Sequence, residues 1–242
     1  VRHPNVKYLD IDLSKDINFD SIVNNVGTIF HLGALARIQP SLTDPINHIK
    51  NNFLSTLTIL DYARDKELPV VYAGSSSFHH GLYESPYAWS KWSGEELCKL
   101  YSNVYNLKTS VCRFYNVYGP NQSKIYLIPS LIDKFKKNNK KIVVHNLDSL
   151  RDYIYIDDVC NAIYKSIFLK SKNLTLDIGT GKSYSVLFII NSISKILNKK
   201  FIINNLKTTK KTISKANLNK TFKYLKWKPK ISIIKGLNLI IK

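Results

Sequence analysis

Methionine is missing from all 242 residues, and the chain opens close to an apolar stretch, "VKYLDI" at 6–11. The expectation is of a chain without its natural start. Long hydrophobic runs are missing too. None approaches the roughly 18 residues that a membrane-spanning helix needs, and "VRHPNVKYLDIDLS" has no apolar stretch of the secretory kind. The expected location is cytoplasmic, with no membrane partner. Cysteine is scarce: Cys98, Cys112 and Cys160 stand in periodic apolar contexts without paired spacing, which excludes a zinc or disulfide framework. No metal is expected. Acidic residues are few, 17 against 36 Lys and Arg, for a formal charge of +19. Such an excess can mark a polyanion-binding face. The lysines alternate with Asn and Ile, however, as in "KKNNKKIVV" and "KTTKKTISKANLNK", and aromatic–basic stacking motifs are lacking. The charge is read as spread over solvent faces, and no nucleic-acid partner is expected.

What is present is globular: 44% hydrophobic and 22% charged residues, enough for one large domain or a domain with an appended lobe. Short β-rich runs alternate with helical patterns. Strands are expected at "VKYLDI", "TIFHLGAL", "PVVYAGSSS" and "KTSVCRFYNVYGP". Helices are expected at "FDSIVNNV", "HIKNNFLSTLTILDYARDK" and "YAWSKWSGEELCKLYSNVY". That alternation implies βαβ crossovers and a parallel sheet. After Pro120 the rhythm loosens. Helices at "IPSLIDKFKK", "IDDVCNAIYKSIFLK", "SVLFIINSISKILN" and "SKANLNKTFKYL" interleave with strands at "KIVVHN", "LTLDIG" and "KFIIN". The division expected is 1–120 for the sheet domain and 121–242 for a smaller α/β lobe interleaved with it.

In open parallel sheets, ligands bind beyond the carboxyl ends of the strands. Three strand ends finish in small or polar residues, "HLGAL", "YAGSSS" and "FYNVYGP", and Tyr87 precedes Lys91 by one helical turn in "SPYAWSKWSGEEL". A strand-end serine can hold a substrate hydroxyl. A tyrosine can take that hydroxyl's proton if its pKa, ordinarily about 10, is lowered. A lysine one turn away lowers it, because a nearby cation favours phenolate.

In this order, "YAGSSS", "SPYAWSKWSGEEL", "RFYNVYGP", "RDYIYIDDV" and "LDIGTGKSYSV" resemble the extended short-chain dehydrogenase/reductase family. Within it they are most similar to the NAD-dependent nucleotide-sugar epimerases and dehydratases, from "DIDLS" to "LKWKPK". The resemblance implies an α/β fold, a Rossmann-like doubly wound parallel sheet with a smaller substrate-binding lobe. It implies NAD as cofactor, a nucleotide-sugar substrate and a homodimer at full length. Tyr87 matches the acid/base tyrosine, and Lys91 the lysine that binds the nicotinamide ribose. Ser76 best matches the third catalytic member, with Ser75 and Ser77 as alternatives, and Ser77 is also a substrate-side residue. Asp12 and Leu13 match the adenine segment. Leu32, Gly33 and Ala34 match the loop under the cofactor, with Asn52 on a helix near it and Tyr115 flanking the nicotinamide. Asn116 and Arg151 match contacts to the sugar nucleotide's diphosphate side, although Arg151 could instead form an ion pair with Asp152 or Asp158.

Two departures stand out. The family's GxxGxxG turn and the acidic residue after the second strand are absent, and "DIGTGKS" does not have P-loop spacing. The loop between Ser76 and Tyr87 is short for the family. The implied reaction is epimerisation through a transient keto sugar. A dehydratase is disfavoured because "SSSFHH" carries no carboxylate after the strand-end hydroxyl. An NADPH-dependent keto-sugar reductase, with His79 or His80 as an extra acid, is the other same-family reading. A non-catalytic nucleic-acid-binding relative and an inactive subunit are the readings from other classes.

Overall fold

The computed structural model describes residues 3–137, 141–206 and 211–242. The stretches 138–140 and 207–210 and the side chains of His80 and His145 lie outside the described residues. In chain order the elements are β1 (Ile29–His31), α1 (Ile38–Thr43), α2 (Pro45–Asp65), β2 (Val70–Ser75), α3 (Pro86–Val104), β3 (Thr109–Phe114), β4 (Asn116–Tyr118) and α4 (Leu127–Lys136). There follow β5 (Lys141–His145), β6 (Leu150–Tyr155), α5 (Ile156–Ser166), β7 (Leu174–Ile178), β8 (Ser183–Ser185), α6 (Val186–Leu197), β9 (Ile202–Leu206), α7 (Leu218–Leu225) and α8 (Ile233–Ile241).

The main sheet is parallel, in the order β1–β2–β3–β7. β2 is buried along Val70–Ala73 on both faces, as a parallel strand covered by helices on both sides must be, whereas β7 at the edge alternates buried Leu174, Leu176 and Ile178 with half-buried Thr175 and Asp177. Alternation along β2 divides the core. Val70 and Tyr72 pack with Ile59 and Leu60 of α2 and Cys98 and Tyr101 of α3. Val71 points the other way, with Cys112, toward Val159 and Ala162 of α5 and Leu225 of α7. Helices therefore cover both faces of the sheet in a doubly wound arrangement. A third core, around Phe135, Ile142, Ile189, Ile190 and Leu237, joins α4, α6 and α8 to the sheets β4–β6–β8 and β5–β9.

Local chemistry starts the two helices that matter most. Asp44 caps α2 by accepting from Asn47 N, with proline in the first turn, and Ser85 caps α3 by accepting from Ala88 N, followed by Pro86. Gly94 lets α3 lie directly on β2, since a Cβ there would run into the Tyr72 hydroxyl.

Several expectations are corrected. "VKYLDI" joins no sheet among the described residues, and its Val6, Tyr8, Leu9 and Ile11 are exposed. An extended segment becomes a strand only when a neighbour completes its ladder, and β1 pairs with β2 alone. "FDSIVNNV" forms a single 3₁₀ turn, Phe19–Ser21. Eight residues ending in Asn24 and the left-handed Asn25 (φ 54°) cannot repay helix nucleation. The expected helix over 214–225 begins only at Leu218, where Asn217 caps it. Sequence patterning misses α1, β6, β8 and α8.

Candidate functional site

The face of α3 that carries Tyr87, Lys91 and Glu95 at four-residue spacing is turned onto the carboxyl end of β2. Tyr72 on β2 anchors it: its hydroxyl donates to Lys91 O at 3.3 Å. The Lys91 ammonium is buried and lies over the Tyr72 ring, 4.2 Å from the centroid. Burial lowers its pKa from 10.5 to about 8, an effect that the negative charge of Glu95 partly opposes.

Burial pushes the Tyr87 phenol up, and a side-chain hydrogen bond with Ser75 pulls it back. Ser75 also accepts from Ser77 N at 3.1 Å, capping the short 3₁₀ turn Ser76–His80. The Ser76 hydroxyl makes no hydrogen bond among the described residues. Ser77 Oγ is buried without a partner. The three serines therefore differ: one holds the phenol, one is uncommitted and one is buried and unsatisfied.

All three open on a cleft of about 710 Å³. Its wall includes Tyr87, Lys91, Leu32, Ala34, Tyr115, Asn116 and Arg151, so most of the residues expected from sequence meet in one place. The lining holds three cationic side chains, Arg37, Lys91 and Arg151, and no Asp or Glu. Among the described residues no group of His, Cys, Asp and Glu is placed to hold a metal.

The remaining expected residues lie outside the cleft wall. Asp12 is exposed, and its carboxylate accepts from Ser14 N (2.9 Å) and Ser14 Oγ (2.7 Å), which holds its pKa low. Leu13 packs beside Gly33, 3.8 Å from where a Cβ would stand. Asn52 is buried and ties the loop under the cleft to α3: its amide accepts from Leu35 N (2.7 Å) and donates to Leu35 O (3.0 Å) and Ser90 Oγ (2.9 Å).

Two cleft residues are committed to the scaffold as well. Arg151 donates to Leu150 O, Thr212 O and Thr212 Oγ1. No carboxylate lies within ion-pair distance of it among the described residues. Asp152 instead closes the 180–181 turn, and Asp158 receives the N–H groups of Lys230 and Ile231. The Tyr115 hydroxyl donates to Asp177 Oδ2 (2.9 Å) and meets His79 Nε2 (3.1 Å). Burial and Asp177 together push that phenol far above its usual range.

Sequence reasoning passed over four residues. Glu95 was detectable as the next turn after Lys91. Arg113 opens the "RFYNVYGP" motif and pairs with Glu95. Gln122 lines the cleft with Oε1 buried and unpartnered, while its Nε2 donates to Val117 O. Arg37 reaches the cleft from a backbone with φ 86°, a conformation no motif announces.

Comparison with known proteins agrees with this architecture. A putative UDP-glucose 4-epimerase of Methanocaldococcus jannaschii is 29% identical across 98% of the chain and 82% of its own length. A GDP-6-deoxy-D-talose 4-dehydrogenase of Aggregatibacter actinomycetemcomitans is 36% identical across 77% of the chain and 68% of its own. The solved UDP-N-acetylglucosamine 4-epimerase of Methanobrevibacter ruminantium M1 superposes with a TM-score of 0.90, at 23% identity, over 99% of this chain and 83% of that one. The family described as NAD dependent epimerase/dehydratase matches residues 2–179. The chain belongs to that family.

Proposed function

We propose that the protein epimerises a nucleotide-activated sugar through a transient keto sugar, with NAD as the resident cofactor. The observation that carries this reading is the cleft wall: Tyr87, Lys91 and the serine run at the end of β2 meet among cations, with no carboxylate. Three cations in a wall that carries no Asp or Glu suit a ligand rich in phosphate, such as a dinucleotide beside a sugar diphosphate. The 4-epimerase names of the relatives support the same substrate class.

The residues present fit the nicotinamide-ribose end of the cofactor, through Lys91, Tyr87 and the Leu32–Ala34 loop. A glycine-rich pyrophosphate turn is not found in these 242 residues. Bound there, NAD would supply reversible hydride acceptance at the sugar. The chain's own residues do the rest. The uncommitted Ser76 hydroxyl holds the reacting sugar hydroxyl, and Tyr87 takes its proton. Asn116 and Arg151 line the diphosphate side. Ser77 Oγ and Gln122 Oε1, both buried without partners, are placed to bond further sugar hydroxyls.

Dehydration needs an acid and a base at the sugar, and the cleft wall offers no carboxylate for either. The reductase reading draws on His79 or His80: His79 Nε2 lies 3.1 Å from the Tyr115 hydroxyl, and the His80 side chain lies outside the described residues. Tyr87→Phe decides the role of the phenol. With NAD added, turnover of a UDP-sugar panel followed by NMR should fall by about 10²–10⁴-fold, while calorimetric binding of the sugar nucleotide persists. A variant that keeps most of its turnover defeats the proposal.

A further inference from the structure

Behind Tyr87 and Lys91 lies a second charged pair that the proposed reaction does not use. The Glu95 side chain is only 4% exposed. Arg113 closes on it: Nε donates to Oε2 at 2.8 Å, and Nη2 lies 2.7 Å from the same oxygen. The backbone N–H of Ser75 also donates to this carboxylate. The other oxygen, Oε1, occupies room left by a glycine, since a Cβ added at Gly74 would stand 2.6 Å from it. Arg113 in turn lies over the Phe78 ring, 4.2 Å from its centroid, in the turn that follows the serine run. One carboxylate thus joins α3, β2, β3 and that turn.

Lys91 is the group most in need of such a partner. The groups recorded against it are Tyr72 from β2, His31 from β1, and Cys98 and Glu95 from α3. Tyr87 stands one turn before it on α3, Thr56 of α2 meets His31, and Arg113 of β3 stands behind Glu95. Burial pushes the Tyr72 phenol and the Cys98 thiol up and the His31 imidazole down, which leaves all three uncharged at neutral pH. Tyr87 is pushed up as well. Glu95 is the carboxylate among them. Burial raises the pKa of that carboxyl, and the hydrogen bond and charge of Arg113 oppose the rise and so favour its ionised form.

We propose that Glu95, clamped by Arg113, is the positioning residue for Lys91, supplying the ammonium's counter-charge and fixing the strand end that carries Ser75. This rests on the epimerase reading, in which a charged Lys91 favours phenolate at Tyr87. Without Glu95, the buried ammonium has no compensating charge and gives up its proton at lower pH. A neutral amine no longer favours the phenolate, so activity ends at lower pH on the alkaline side.

The test is Glu95→Gln on the whole chain, with Glu95→Asp as the conservative variant. Lys91 is titrated by NMR of lysine labelled beside Nζ, assigned with Lys91→Met. Its titration should move down by about one pH unit, a tenfold change in proton affinity, in the Gln variant. The Asp variant should recover part of that change. The alkaline limb of kcat/KM should move the same way. An unmoved Lys91 titration in either soluble, folded variant overturns the proposal, as does lower kcat with an unchanged pH profile. The titration is read without turnover. An inactive wild-type enzyme therefore counts against the epimerase reading and not against the coupling of Glu95 to Lys91.

Discussion

The Lys91 ammonium stands 4.2 Å from the centroid of the Tyr72 ring, and no carboxylate lies within ion-pair distance of it among the described residues. A cation–π contact replaces only part of the hydration that the ammonium loses on burial. The α3 face proposed to support chemistry is therefore a place where the fold gives up stability.

Lys91→Met should stabilise the protein while abolishing its activity. Lys91 has a folded pKa of about 8 against 10.5 unfolded, so the folded state disfavours the charged form. At about 1.4 kcal/mol per pH unit, the cost is on the order of 3 kcal/mol. It is present in full below about pH 8 and fades as pH rises toward 10.5. Urea denaturation should show the Met variant ahead of wild type at neutral pH, with the gap closing under alkaline conditions. Equal stabilities at neutral pH would refute the assignment.

His31 acts in the acid range. Its Nε2 lies 3.0 Å from Thr56 Oγ1, and burial lowers its pKa from 6.5 to about 4. A depressed histidine contributes stability that is complete above 6.5 and is lost as pH falls toward 4. The loss across that window should be roughly 3 kcal/mol. His31→Gln, which keeps a hydrogen-bonding group near Thr56, should flatten the profile of denaturation midpoint against pH. A variant as acid-sensitive as wild type would remove His31 as the source.

The serines should separate kinetically. The hydrogen bond from Ser75 pulls the Tyr87 pKa down, so Ser75→Ala should move the acid limb of kcat/KM to higher pH. Ser76→Ala should leave that limb in place and lower kcat/KM by about 10-fold to 100-fold, as loss of one substrate hydrogen bond does. Interchanged effects would mean that Ser75 holds the substrate.

Asp152 should matter for stability more than any other carboxylate in the lobe. It is fully buried, and its two oxygens accept from Thr180 N, Thr180 Oγ1, Gly181 N and Ala216 N at 2.6–3.1 Å. Asp152→Ala strands the buried Ala216 N–H and the half-buried donors of Thr180 and Gly181 and should cost about 3–5 kcal/mol, read as a lowered thermal midpoint. A thermal midpoint within a few degrees of wild type would show that water replaces the carboxylate at little cost.

The parts of this structure that were legible in sequence are those governed by period and capping. Ser85–Pro86 announces α3, and "PVVYAGS" announces β2 by its unbroken apolar run. Tyr87 and Lys91 follow from a one-turn spacing. What was hidden depends on partners distant in sequence. "VKYLDI" has a strand's composition but no strand to pair with among the described residues. The side chain of Asn52 holds a loop 17 residues upstream, at Leu35, as well as α3. Arg151 could be read as either a ligand contact or an ion pair, and its scaffold bonds to Thr212 are 61 residues away.

The pairing of β3 with β7 has a consequence for how the chain can be divided. Ser110 lies opposite Leu174 and Phe114 opposite Ile178, so the fourth strand of the main sheet arrives after the chain has already built β4, α4, β5, β6 and α5. A cut near residue 120 would not yield two self-sufficient halves. The first would keep a bare edge along Thr109–Phe114, and the second would carry an orphaned Leu174–Ile178. Contacts so far apart in sequence also favour slow folding, with the strand behind Tyr115 settling late. Exchanging the lobe that follows residue 120 with that of a relative would therefore have to leave Leu174–Ile178, and the α7 helix packed on it, with the sheet they complete.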